Sequence, residues 1–331
     1  MKNIVIAAGY ATRLGELTKN FPKPLLKIGN NTILGRMLDD IDTIPEIDEH
    51  IIITNHKFAP IFEDWRNERL QTPAINHCSQ RFSAGPSASG GSPASSSVPS
   101  GSAARSSASS VPGVSPASSS APSGSAARSS ASSVPGASPA SFSVPSGSAA
   151  RKPITIIDDG TETNDTRLGA VCDLLLAIDK LSDGTLSNST WPDDLLVVAA
   201  DNLLFFSFRE FVKFAQEKGT SCIMCHEQPS IEKLQRTGVV ELDANNRVLG
   251  MEEKPQVPKS HWAVPPFYIY LKKDLDLVRH SVENGCGKDA PGNLAHYMVD
   301  HTPMHAWPMS AGRFDIGSLD TYYKAVELYG K

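Results

Sequence analysis

The segment Ala7-Ala8-Gly9-Tyr10-Ala11-Thr12-Arg13-Leu14 closes a short apolar run with small side chains. Small residues let backbone N–H groups approach a phosphate closely, and the carboxyl edge of a parallel sheet is where open α/β folds bind ligands. Arg13 adds a planar fork of donors that suits phosphate oxygens. The spacing is neither GxGxxG nor GxxxxGKS/T, so the dinucleotide and Walker patterns both fail. Ten residues on, Phe21-Pro22-Lys23-Pro24 restricts the backbone on both sides of a lysine, which makes it a fixed point charge. Taken singly, Gly9 also reads as a turn residue and Lys23 as a solvated loop lysine.

Two other patterns carry less. Cys222-Ile223-Met224-Cys225 has CxxC spacing, but on a predicted strand positions i and i+3 face opposite sides. With no second cysteine pair, neither a zinc site nor a redox motif is expected. His56, His226, His296 and His305 show no metal-ligand spacing. The bulk composition excludes further classes. With 31 Lys+Arg against 36 Asp+Glu the chain lacks the positive excess of a nucleic-acid binder. No apolar run approaches the roughly 18 residues of a membrane span, and residues 4–8 are too short for a signal-peptide core. Five cysteines, an odd number, make a reducing cytoplasm the expected location. The partners expected are therefore small molecules, without nucleic acid or membrane; a homo-oligomer is compatible with this composition.

The positioning elements surround a foreign stretch. Residues 83–151 are nearly all Ser, Ala, Pro, Gly and Val, and the 23-residue phrase at 92–114 repeats at 115–137 with two changes. Each repeat lacks the hydrophobic face that a stacked solenoid needs. It cannot offset an ordering cost of about 1–2 kcal/mol per residue, so it reads as a flexible, inert insert. The division expected is a first part at 1–82, the insert at 83–151 and a second part at 152–331. Without the insert's Arg105, Arg128 and Arg151 the remaining 262 residues carry a net charge of −8.

Apolar runs at 4–8, 50–54, 153–158, 195–200 and 220–225 predict buried strands. They alternate with helical patterns at 32–41, 59–70, 168–181 and 208–218. A hairpin is expected at 238–251 around Asp243-Ala244-Asn245-Asn246, one strand at 263–270, two short helices, and a last helix at 319–328. This alternation predicts an α/β, Rossmann-like fold: a mixed, mostly parallel sheet with helices on both faces.

With these elements in place, AAGYATRLGELTKNFPKPLLKIGNNTIL resembles the signature of the sugar-1-phosphate nucleotidyltransferases, or nucleotide-sugar pyrophosphorylases. Ala200-Asp201-Asn202-Leu203 is similar to the family's GDN segment, Gly238-Val239-Val240-Glu241 to its hairpin strand, Glu252-Glu253-Lys254-Pro255 to EEKP, and Phe314-Asp315-Ile316-Gly317 to its late Asp-Ile/Thr-Gly segment. The resemblance spans residues 1–71 and 152–331. It implies that a nucleoside triphosphate and a sugar 1-phosphate give a nucleoside diphosphate-sugar and pyrophosphate. It further implies that Arg13 and Lys23 hold the triphosphate and stabilise the departing pyrophosphate, while Lys254 holds the sugar phosphate for in-line attack. Asp201 and Asp315 would share a Mg²⁺, Glu253 would accept bonds from sugar hydroxyls, Ala8, Gly9 and Asn202 would line the substrate site, and Leu168 and Gly169 the base pocket. For so acidic a body, Mg²⁺ becomes a requirement of this reading.

Several positions depart from the family. Ala8 and Ala11 stand at usual glycine positions, and alanine permits close approach only where φ is negative. Ala200 precedes Asp201, and Pro266 stands where glycine is frequent near the sugar. Residues 164–169 lack the glutamine that thymidylyl enzymes tend to present, although ADNLLF most resembles that type; dTTP and glucose 1-phosphate are the expected pair. Two alternatives share parts of the pattern. One is a cytidylyltransferase for phosphocholine or a similar alcohol phosphate, against which EEKP and FDIG weigh. The other is a non-catalytic nucleotide-sensing subunit, against which the full set Arg13, Lys23, Asp201, Lys254 and Asp315 weighs.

Overall fold

The amino-terminal strand begins earlier than its apolar run because two polar residues find buried partners. Lys2 Nζ lies 3.1 Å from Glu49 Oε2, and Asn3 Nδ2 lies 2.9 Å from His50 Nδ1. The computed structural model describes residues 1–72, 150–184 and 193–330, and all of these belong to one compact unit. Of the expected repeat segment only Ala150 and Arg151 are described; the rest lies outside the described residues.

Apart from the short antiparallel pair Lys27–Ile28 and Asn31–Thr32, the strands are β1 (Lys2–Ile6), β2 (Glu49–Thr54), β3 (Ile154–Asp158), β4 (Leu195–Ala199), β5 (Asn202–Leu204), β6 (Ser221–Glu227), β7 (Gly238–Leu242), β8 (Val248–Glu253), β9 (Trp262–Val264), β10 (Phe267–Tyr270), β11 (Met304–Pro308) and β12 (Arg313–Asp315). Ten of them form one sheet in the order β8-β7-β9-β6-β10-β4-β1-β2-β3, with β11 on β6. Strands β3, β2, β1 and β4 run parallel, with Ile4 level with Ile51 and Val197. Strands β8, β9 and β10 oppose the rest. The sheet is thus mixed and mostly parallel, as the strand–helix alternation implies.

Alternate residues of each strand enter two cores. Ile4, Ile51 and Ile53 pack beneath α3 (Ala170–Ser182, counting α1 as Ile33–Ile41 and α2 as Ala59–Gln71), through Val171, Leu174 and Ala177. Val5 and Ile52 pack with Leu34 and Leu38 of α1, Phe62 of α2, and Phe208 and Phe211 of α4 (Phe208–Lys218). Helices α5 (Asp276–Glu283) and α6 (Pro291–His301) join the first core, and α7 (Leu319–Tyr329) opens on a Ser318–Thr321 capping box. Cys222 and Cys225 point into opposite cores, where burial pushes both thiols up to about 12. Among the described residues no helix is long and apolar enough to cross a membrane.

Three local expectations are corrected. The single strand at 263–270 is two strands, because Pro265 and Pro266 lack the N–H that a continuous ladder requires. Pro266 O instead accepts from Ala199 N at 3.1 Å, fixing the break against the end of β4. Helix α3 starts at Ala170 rather than 168, because Gly169 has a φ of +90°, outside the helical region. The short strands β5, β11 and β12 had no signal of their own.

At the amino edge of the parallel strands the chain is clamped on either side of the repeat. Arg151 Nε donates to Thr72 O at 2.8 Å, and Arg151 Nη1 to Asp39 Oδ1 at 3.1 Å. Beneath lies a buried chain in which Arg69 bonds Asp42 Oδ2, and Asp42 Oδ1 bonds His50 Nε2, each at 2.9 Å. Closing a flexible loop costs about 0.6 kcal/mol per doubling of its length. Replacing residues 73–149 by a five-residue Gly/Ser link is therefore expected to stabilise the protein by up to about 2 kcal/mol. Thermal unfolding of the excised protein checks this; a fall in Tm or loss of soluble protein would show that the segment contributes to the fold.

Candidate active site

All four parallel strands end at one edge, and a cleft of about 440 Å³ opens there over β4 and β10. Its floor is Ile6, Val197 and Ala199; its walls include Asp201, Asn202, Thr237, Tyr268, Arg313 and Asp315. Segments far apart in sequence meet because β5 and β12 form a two-stranded ribbon that pairs Asn202 with Asp315. Ile316 N donates to Asp201 O at 3.1 Å and closes the ribbon.

Lys23, 9% exposed, directs Nζ to Asp201 Oδ2 at 3.0 Å. Its short 3-10 turn, Lys23–Leu25, is set by the flanking prolines that the sequence marks. Asn202, 1% exposed, donates Nδ2 to Asp201 Oδ1 at 2.7 Å, and its Oδ1 accepts from Arg313 Nη1. Burial in the cleft, then the neighbouring Asp201 charge, raises the Asp315 carboxyl above its ordinary range; Arg313, Lys23 and Arg13 oppose the shift. Arg13 itself is exposed in the first loop. Arg13, Lys23, Asp201, Asn202 and Asp315 are thus one electrostatic group.

Ala8 is buried and Asn55 Nδ2 bonds its carbonyl at 3.0 Å, whereas a side chain on Gly9 would meet nothing within 4 Å. The loop therefore has open space above Gly9. Ala11 takes the left-handed conformation, with φ of 48°, where alanine costs roughly 1–2 kcal/mol. The departure from glycine thus falls where it matters. Because glycine also loses more chain entropy, Ala11→Gly is expected to stabilise by about 0.5–1 kcal/mol. A Tm unchanged or lowered in that variant would contradict the strain.

Gly169 caps α3, and a Cβ there would lie 2.6 Å from Lys288 O. Leu168 beside it is partly exposed, and Ala170 lines the cleft. The sequence reading of this pair as pocket residues thus meets a second role: Gly169 lets the helix enter against the 288 carbonyl.

Lys254 and Glu253 stand apart from the Asp201 group. Lys254 is exposed, with φ of 51°, and its N–H bonds the carbonyl of the cleft residue Thr237 at 3.1 Å. Its ammonium lies 3.6 Å from Glu253 Oε1. Glu253 borders an adjoining hollow of about 430 Å³ with His296, Asn293 and Cys286. Its carboxylate sits so close to α6 that a Cβ at Gly292 would lie 2.0 Å from Oε2. Burial raises the Glu253 carboxyl, against the opposing charges of Lys254 and His296. Tyr268, whose hydroxyl is pushed up by burial foremost and then by the Glu253 charge, lines the cleft.

The sequence reading missed Arg313, Thr237, Tyr268 and Tyr10. Arg313 had a usable signal: on a strand, residues two apart share a face, so it accompanies Asp315. Tyr10 donates to Thr161 O at 2.9 Å, tying the first loop to the segment after β3. Behind that segment sit two carboxylates, Asp159 and Asp173, each with one buried oxygen that has no partner among the described residues. Burial foremost, and then the Asp159 charge, pushes Asp173 up to about 7.

The profile of the family described as nucleotidyl transferase matches residues 2–92 and 162–331. The glucose-1-phosphate adenylyltransferase of Fervidobacterium nodosum is 26% identical over 136 residues, 40% of this chain and 32% of that one. The glucose-1-phosphate thymidylyltransferase of Mycolicibacterium smegmatis is 43% identical over 51 residues, 15% of this chain and 18% of that one. The matched stretch thus spans about a third or less of these curated relatives. A UDP-glucose pyrophosphorylase complexed with UDP-glucose superposes with a TM-score of 0.62 at 16% identity, covering 99% of this chain and 97% of that one. At that identity the likeness speaks for the fold. With the family profile covering most of the chain and the same cleft-forming segments falling within it, this chain belongs to the nucleotidyl transferase family.

Proposed function

We propose that this protein transfers a nucleotidyl group from a nucleoside triphosphate to a sugar 1-phosphate, releasing pyrophosphate, with dTTP and glucose 1-phosphate as the preferred pair. The observation that supports it is the convergence of Lys23, Asp201, Asn202 and Asp315, drawn from three separated segments, in one cleft beside the Gly9 loop. The relatives named for glucose 1-phosphate support the sugar, and they differ among themselves in the base.

In this reading the backbone of Ala8 and Gly9 receives the triphosphate, and Arg13 and Lys23 neutralise the charge that accumulates on the leaving pyrophosphate. Leu168 and Gly169 border the base. Lys254 holds the phosphate of the sugar 1-phosphate, and Glu253 accepts from its hydroxyls. The attacking group is already an anion, so no general base is required and positioning supplies much of the rate.

The residues fit a Mg²⁺ ion. Asp201 and Asp315 bring two hard-oxygen carboxylates together, and burial and then the Asp201 charge raise the Asp315 carboxyl, a cost that a cation would offset. No third His, Cys, Asp or Glu joins them among the described residues, which leaves the remaining positions for phosphate oxygens and water, as Mg²⁺ prefers. When bound, the ion would screen the phosphates against each other. Lys23 holds Asp201 in the orientation that serves it.

The test is pyrophosphate release with Mg²⁺, pairing each common nucleoside triphosphate with glucose 1-phosphate, other sugar 1-phosphates and phosphocholine. Turnover with a sugar 1-phosphate is expected. Turnover with phosphocholine alone, or with no pair, overturns the proposal.

A further inference from the structure

We infer that Arg313 is a positioning residue for Asp201, acting through the Asn202 amide, and so sets the affinity of the Asp201–Asp315 pair for its divalent cation; this rests on the transferase reading above. An arginine side chain carries only donors, so the atom of Asn202 that faces it must be the amide oxygen. Arg313 Nη1 does donate to Asn202 Oδ1. The Asn202 amide is thereby locked in one of its two orientations, and its Nδ2 must point the other way, to Asp201 Oδ1 at 2.7 Å.

Lys23 takes the second oxygen of Asp201 at 3.0 Å. The carboxylate is then fixed from both sides, and only its remaining lone pairs face the cleft. Asn202 is 1% exposed, so in the intact protein its amide depends on these side chains for its orientation. An unlocked amide can turn its oxygen toward Asp201, which sets two acceptors against each other. The backbone places the relay with equal economy: β12 holds Arg313 two residues before Asp315 and on the same face, opposite Leu204 and Asn202 of β5. Arg313 Nε is buried without a partner among the described residues, so packing alone does not explain a guanidinium here.

The experiment uses the full chain with Mn²⁺ as probe, titrated calorimetrically in the presence of a nucleoside triphosphate. Groups that orient metal ligands typically affect affinity by about 10–100-fold. Arg313→Met is expected to weaken Mn²⁺ by that factor, and to raise the Mg²⁺ concentration needed for half-maximal pyrophosphate release, with KM for the nucleotide within about threefold. Arg313→Lys, which keeps one donor, recovers most of the loss. Asn202→Leu loses as much as the Arg313→Met/Asn202→Leu pair, since both break one chain. Should Arg313→Met not fold, Arg313→Gln, too short to reach, carries the same expectation.

Unchanged Mn²⁺ affinity in the folded variant, or additive losses in the double variant, overturns the relay, as does a wild type that binds no Mn²⁺. A wild type that binds Mn²⁺ with nucleotide yet releases no pyrophosphate from any pair refutes the transferase reading and leaves the relay standing.

Discussion

Asp201→Asn is expected to lower kcat about 10²–10³-fold while the protein stays folded. The substitution exchanges a charged oxygen for a neutral amide in the wall of the cleft that the proposed reaction would use. It also removes the anion from Lys23, whose ammonium is mostly buried 3.0 Å away. A fully buried pair broken in this way costs several kcal/mol, but the Asp201 side chain is 36% exposed and Asp315 remains nearby. Solvent screening reduces the cost to about 1 kcal/mol, a Tm shift of roughly 2–4 °C in a unit this large. Steady-state kinetics beside thermal melts separates the two effects. Near-normal kcat in a folded Asp201→Asn variant removes the carboxylate from the mechanism.

Asp173→Asn acts in the opposite direction, on stability and as a function of pH. Asp173 is 3% exposed, and one of its oxygens has no partner among the described residues. Its carboxyl stands at about 7 in the folded protein against 3.8 in the unfolded chain, through burial first and the Asp159 charge second. Between those values the folded protein holds a proton that the unfolded chain releases, so stability falls as pH rises from about 4 to about 7. At about 1.4 kcal/mol per unit, the loss reaches about 2–4 kcal/mol above pH 8. The amide cannot ionise, so it carries no charge to bury and none to repel Asp159. Asp173→Asn is therefore expected to melt several degrees above the wild type at pH 8 and nearly level with it at pH 4.5. Parallel melting curves that keep one separation at every pH would show that Asp173 is ionised throughout.

Burial patterns carried most of the fold into the sequence. The runs at residues 50–54 and 195–200 read as buried strands because a strand covered on both faces is mostly apolar, and α2 and α4 start at Ala59 and Phe208, where their helical patterns do. Local constraint did the same for parts of the site. Prolines around Lys23 and small residues before Arg13 are visible without coordinates, because they act on their own backbone. What failed locally was also local: Pro265 and Pro266 could have divided the 263–270 strand on the missing N–H alone.

Contacts between distant segments were decided elsewhere. Asp201 and Asp315 are separated by more than one hundred residues, and three-residue strands such as β5 and β12 have too short a pattern to declare their pairing. The chain of Arg313, Asn202, Asp201 and Lys23 exists only once distant segments meet, since its two end links, Arg313 to Asn202 and Lys23 to Asp201, join residues 111 and 178 positions apart. The half-buried Asp159 and the buried Asp173 are likewise ordinary carboxylates in sequence, and their surroundings alone raise them. The sequence by itself determined the class of fold, the family and the charged residues available for polyanion chemistry, because burial periodicity and backbone restriction are properties of neighbouring residues. Tertiary structure decided which of those charges meet, how their protons are held, and that Glu253 faces a hollow beside the Asp201 cleft, because distance and desolvation are set only when separated segments pack together.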